Sequence, residues 1–134
     1  MFLSSLKDEN KGLFLELCVH LSISDGLLLE SEKEVLKAYC REMDLPETMI
    51  STSKPLNEII SMLNVSANHV EKKIIIMELL ALANVDGKYD EKEKEEMSMI
   101  IKGFGIEESQ QNEIIRLLSE YNNICEEIKN FLCE

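Results

Sequence analysis

A stretch of this chain occurs twice, sixty-one residues apart, and self-similarity on that scale constrains the fold more than any local propensity does. Residues 25–34 read Asp-Gly-Leu-Leu-Leu-Glu-Ser-Glu-Lys-Glu, and residues 86–95 read Asp-Gly-Lys-Tyr-Asp-Glu-Lys-Glu-Lys-Glu. From Leu21 to Glu34 against Leu82 to Glu95, seven of fourteen positions are identical without a gap. Beyond that window the two copies share apolarity: Leu36 with Met97, Tyr39 with Ile100, Cys40 with Ile101, Met43 with Phe104 and Leu45 with Ile106. The repeat covers residues 12–46 and 73–107. Each copy reads as a helix, an Asp-Gly loop and a second helix, so two pseudo-symmetric halves related by a twofold axis are expected.

Apolar spacing supports helices throughout. Leu13, Phe14, Leu17, Cys18 and Leu21 recur every three or four residues, which predicts a first helix over 8–23, ended by Asp25-Gly26. Ser31 with Glu34 has the form of a capping box opening a second helix. Its inner face is Val35, Leu36, Tyr39, Cys40 and Met43. Pro46 suits the first turn of a short third helix. After Pro55, a fourth carries Leu56, Ile59, Ile60 and Leu63.

Asn68 with Glu71 caps a fifth helix that is apolar nearly all round, from Val70 to Leu82, and so belongs at the centre of a bundle. Asp90 with Glu93 caps a sixth, bearing Met97, Ile100, Ile101 and Phe104 and stopped by Gly103 and Gly105. A seventh holds Ile114, Ile115, Leu117 and Leu118. An eighth, or a continuation of the seventh, holds Ile124, Cys125, Ile128, Phe131 and Leu132. The expectation is an all-α, single-domain bundle of seven to eight helices over residues 1–134, with short links between antiparallel neighbours.

Composition narrows the function. Fourteen basic against 26 acidic residues leave a formal net charge of −12, which argues against nucleic acid and against anionic lipid as partners. Cations and a protein partner with a basic surface remain. The longest apolar run, Ile74 to Ala83, is broken by Glu78 and is too short to span a bilayer, so no direct membrane insertion is expected. The N-terminus lacks the basic and apolar regions of a secretory signal. Cys18, Cys40, Cys125 and Cys133 form no Cys-x-x-Cys, and the first three fall on apolar helix faces. Buried free thiols in a cytoplasmic protein fit that pattern. Oligomeric state is not legible.

The repeated loops place carboxylates at a fixed interval: Asp25 and Glu32 in the first copy, Asp86 and Glu93 in the second, where Asp90 and Asn84 add further oxygens. An EF-hand requires oxygen ligands at its first, third and fifth positions, Gly at the sixth and Glu at the twelfth. With Gly87 as the sixth, the first is Leu82; in the other copy the first, third and ninth are Leu21, Ile23 and Leu29. Neither loop is therefore a working EF-hand. A weaker divalent site for Mg²⁺ or Ca²⁺ is consistent with Asp86, Asp90 and Glu93, joined by Asp25 and Glu32. Against it stands the plain reading that the aspartates brace turns and the glutamates favour helix N-termini.

Acid–base hydrolysis is the weakest option. His20 aligns with Ala81 in the other copy, Cys18 and His20 do not share a helix face, and no phosphate-binding or nucleophile motif is present. A pure protein–protein interaction module is the stronger alternative to cation binding, motivated by the three consecutive leucines Leu27, Leu28 and Leu29.

Small or apolar residues, then Asp-Gly, then Glu after five more residues, flanked by amphipathic helices and present in both halves, resemble the TerB-like family. That family is named for a tellurite-resistance protein and includes the N-terminal domain of a DnaJ-type co-chaperone. The matching residues are Ala83-Asn84-Val85-Asp86-Gly87 with Glu93, and less closely Ser22-Ile23-Ser24-Asp25-Gly26 with Glu32. The resemblance implies an all-α bundle of about seven helices, cytoplasmic, with acidic surface positions suspected of holding a divalent metal; with no catalytic motif present, a non-enzymatic protein is expected. It also implies a role in stress response or in metal and tellurite resistance.

Overall fold

The computed structural model describes residues 2–23, 30–50, 54–83 and 91–134. Among these described residues, six α-helices carry the fold: α1 (Asp8–Ser22), α2 (Glu30–Met43), α3 (Leu56–Ser66), α4 (His69–Ala83), α5 (Glu91–Gly103) and α6 (Glu108–Leu132). Short 3₁₀ turns lie at Leu3–Ser5 and Glu47–Met49, the second replacing the expected short third helix. Among the described residues there is no strand.

The helix bounds follow the sixty-one-residue offset. α1 and α4 are both 15 residues long and correspond end to end, and α2 and α5 begin at corresponding residues, Glu30 and Glu91. Their C-termini close alike. Asp44 (φ 58°) and Gly105 (φ 70°) both adopt the left-handed conformation. Behind them, Leu45 N–H donates to Cys40 O at 2.8 Å and Ile106 N–H to Ile101 O at 3.2 Å. These are the same Schellman closure, in which a residue of positive φ lets the chain turn back onto orphan carbonyls. The second copy places glycine there at little steric cost; the first uses aspartate, which tolerates that region better than most side chains.

The centre of the bundle is shared. The periodicity places α4 there, but α1 packs against α2, α3, α4 and α5, whereas α4 meets α1, α5 and α6. The reason is the breadth of α1's apolar surface: Leu13, Phe14, Leu15, Leu17, Cys18, Val19 and Leu21 are all buried. Phe14 meets Tyr39 of α2 edge-on, with ring centroids 5.5 Å apart. Val70, the first of the apolar residues read on α4, is exposed, because it lies in the first turn before the core closes.

Gly103 proves to be more than a helix stop. It is the last residue of α5, where an added Cβ would come 2.6 Å from Ile60 Cγ2 of α3, and its carbonyl accepts a hydrogen bond from Asn64 Nδ2 at 2.6 Å. The absence of a side chain lets α3 and α5 approach closely. Gly103→Ala is therefore expected to destabilise the fold by about 1–3 kcal/mol, although alanine favours helix, because it forces the helices apart. Urea denaturation of the variant measures this; a midpoint equal to or above that of the unmodified protein contradicts it.

The region read as a seventh helix with an eighth or a continuation is one 25-residue helix, α6. Glu107 and Gln110 form a capping box at its start. Among the described residues, its first three turns pack on the body of the protein, against α4. Ile114 is buried and Leu118 partly so, but every residue from Ser119 to Glu134 is exposed. Cys125 is thus exposed, not buried as its apolar face predicted, because no other described element reaches that far. Cys18 and Cys40 are buried, as expected.

Candidate functional site

The acidic pattern starts in the first turns of α2 and α5. Glu30 and Glu91, the first residues of these helices, pair with Lys33 (3.2 Å) and Lys94 (3.7 Å), the same i,i+3 pair in both copies. Such exposed pairs contribute little stability. Glu32 and Glu93, two residues further on, are the third residues of their helices and are partly buried, whereas Glu30 and Glu91 are exposed. Ser31 lies within α2, which already begins at Glu30, so it is not the helix cap that its spacing to Glu34 predicts. Asp25, Asp86 and Asp90 lie outside the described residues, as do Leu27, Leu28 and Leu29. Among the described residues, no group of three or more His, Cys, Asp or Glu side chains is arranged to hold a metal ion.

Three glutamates are buried, and each engages a different part of the frame. Glu71 is the most connected. Its Oε2 accepts from Lys7 N–H (2.9 Å) and Asn10 Nδ2 (2.8 Å), and its Oε1 from Asn68 N–H (3.2 Å), with Lys7 Nζ 3.6 Å away. Asn68 Oδ1 accepts from Glu71 N–H in return, completing the expected capping box. Burial alone raises the Glu71 carboxyl. The three donors and the Lys7 charge outweigh it and hold the group below its ordinary range. The side chain that caps α4 thereby also ties down the start of α1, a role that spacing within one helix cannot reveal.

Glu78, in the middle of α4, hydrogen-bonds the Tyr39 side chain. Burial, then the neighbouring Cys18 and Glu78, push the Tyr39 phenol far above its ordinary value. Cys18 is shifted in the same direction, first by burial and then by Glu78 and Cys40. A thiol so placed stays protonated and is not a nucleophile. Glu16 pairs with Lys54 at 3.2 Å, and the Lys54 carbonyl lies 2.7 Å from His20 Nε2, so the segment before α3 is held against α1.

That segment borders a cleft of about 870 Å³ between α1, α3 and the turn at Glu47–Met49. Its wall includes Met49, Met62 and Val65, all exposed; the exposed carboxylates Glu9 and Glu58 and the Glu16–Lys54 pair also line it. An apolar wall beside the two exposed carboxylates suits an amphipathic segment that brings a basic group to them. Sequence reasoning missed this cleft, because its lining comes from three elements far apart in the chain. Glu71 and Glu78 left a clearer signal, as charged residues on a helix otherwise read as core.

No protein-family model matches the chain, and no curated protein matches its sequence. Its fold does have a counterpart among solved structures. The crystal structure of a tellurite resistance protein from Nostoc punctiforme superposes with a TM-score of 0.67 at 17% identity, covering 95% of this chain and 82% of the other. The likeness shows a TerB-like, all-helical fold.

Proposed function

We propose that this TerB-like bundle is a non-enzymatic, cytoplasmic protein of metal or tellurite stress response whose acidic Asp-Gly loops bind a divalent cation weakly. The observation that carries the reading is the doubled interval: Asp25 to Glu32 and Asp86 to Glu93, with both glutamates third in their helices and partly buried. Helix capping alone does not call for the same Asp-to-Glu spacing twice. In support of a shared origin for the two loops, the helix bounds, the Schellman closures and the Lys33–Glu30 and Lys94–Glu91 pairs all recur at one offset. The second loop is the stronger half because Asp90 and Asn84 supply oxygens where the first has leucine and isoleucine. An incomplete shell of two or three carboxylates with water implies modest affinity and favours Ca²⁺ or Mg²⁺, which take oxygen ligands. The tellurite connection is carried by the structural neighbour's description alone.

Calorimetric titration with CaCl₂ and MgCl₂, with amide NMR shifts read in parallel, tests this. Saturable binding centred on residues 84–93 is expected, weakened about tenfold or more in Asp86→Asn or Glu93→Gln, since each removes one charged ligand from a small set. No shift at Asp86 or Glu93 in millimolar metal overturns it. The cleft beside α3 favours a second reading, an interaction module whose acids are caps and solvated surface. A null titration leaves that reading in place.

A further inference from the structure

Seven of the exposed large hydrophobics lie on α6: Ile115, Leu117, Tyr121, Ile124, Ile128, Phe131 and Leu132. They continue the stripe that begins at the buried Ile114 and runs on through Leu118, Tyr121, Cys125, Ile128 and Leu132, with steps of four, three, four, three and four residues. That alternation is the seam of a helix pair. Leu117, Ile124 and Phe131 each sit one position before a seam residue and widen it on one side. On the other flank stand Ile115, Asn122 and Lys129. In a chain of net charge −12, no acid occupies the seam or its flanks between Ile114 and Leu132. Glu120, Glu126 and Glu127 face away, and Arg116 on that outer face pairs with Glu113 and Glu120.

The same stretch is short of partners. From Ser119 on every residue is exposed among the described residues, over a helix of under four turns, and helices of roughly 12–15 residues are marginal in water without packing. At the sixty-one-residue offset, the first half breaks at Pro55 and returns α3 onto α1, whereas the corresponding residue of α6 is Arg116 and the helix runs straight on. Beyond the body, Tyr121, Ile124, Ile128, Phe131 and Leu132, each about half exposed or more, offer a largely apolar surface on the order of several hundred Å², the scale that each partner contributes to a protein–protein interface.

We propose that this stripe pairs with the same stripe of a second copy of the chain, making an isologous, antiparallel two-helix seam. In the register that sets Tyr121 of one copy against Leu132 of the other, Cys125 meets Ile128, while Ile114 and Leu118 stay packed on each copy's own body. This arrangement places the two acidic bodies at opposite ends of the seam, whereas a parallel pair would set them side by side. The pairing is independent of the cation reading, since it uses none of the loop acids.

Sedimentation equilibrium on the full chain tests it. The expected species is a dimer of 15.4 kDa chains. Ile128→Glu is expected to raise the dimer dissociation constant about a hundredfold or more, the scale of a central apolar contact. Asn123→Glu, on the outer face, leaves the dimer intact. Because Ile128 is exposed and lies beyond the turns of α6 that pack on the described body, an unchanged thermal transition of the bundle separates lost pairing from misfolding. A monomer at tens of micromolar, or a dimer indifferent to Ile128→Glu, overturns the proposal. Oxidation of a Cys125→Ser variant reports the direction. Antiparallel helices hold the two Cys133 thiols at opposite ends, so ready formation of a Cys133-linked dimer overturns the antiparallel arrangement.

Discussion

Replacing Glu71 by alanine is expected to cost about 3–5 kcal/mol, the range seen when one partner of a buried charged network is removed. The loss goes beyond one ion pair. Asn10 is fully buried and the Lys7 and Asn68 amides are directed at the carboxylate, so its removal leaves several donors without their acceptor at the junction of α1 and α4. Chemical denaturation measures the change, and a loss below 1 kcal/mol contradicts the clamp. Glu71→Gln separates charge from shape and makes the effect depend on pH. The folded carboxyl is held below its ordinary value, so its contribution is complete above the unfolded group's pKa and is lost as pH falls through the folded one. Below about pH 5 the unmodified protein should lose stability faster than Glu71→Gln, and the two curves should converge in acid. Parallel curves across that window would show that the charge contributes nothing.

Phe14→Ala is the other large effect, expected at about 3–5 kcal/mol for truncating a fully buried aromatic ring. Phe14 stands on the helix that touches four others, and its ring meets Tyr39 edge-on. The cavity therefore opens between α1 and α2 beside the Tyr39–Glu78 hydrogen bond, where inward collapse would disturb a buried polar pair. For a chain of this size the melting temperature should fall by about 10 °C or more. A fall of only two or three degrees would mean that the core around α1 repacks freely. Phe14→Leu, which keeps most of the volume, should cost clearly less.

Residues of two kinds mark how far the sequence could be read. Where a helix closes through local bonds, spacing sufficed. Asn68 and Glu71 form the capping pair that their three-residue interval implies, and Leu36, Cys40, Met97 and Ile101 are buried at the positions their period assigns. Where a residue acts on a distant segment, spacing was blind. Gly103 reads as a stop until Ile60 is seen against its backbone, and Glu71 reads as a cap until Lys7 and Asn10 are seen to share it. Cys125 failed for a related reason: an apolar stripe records that a face avoids water, but not whether this chain supplies the cover. The candidate cation loops were legible only as spacing, since Asp25, Asp86 and Asp90 fall outside the described residues.

The amino-acid order alone determined the helical class, the doubled helix–loop–helix plan and the acidic interval at each Asp-Gly, because these depend on contacts within a few residues and on a repeat that survives side-by-side reading. Tertiary structure decided which helix is the hub, which acids are buried and held, where the cleft opens, and that α6 outruns the body by half its length. Those outcomes turn on surfaces meeting across forty to sixty residues of chain. Their energy comes from the area and the hydrogen bonds shared between elements, which no single segment carries on its own.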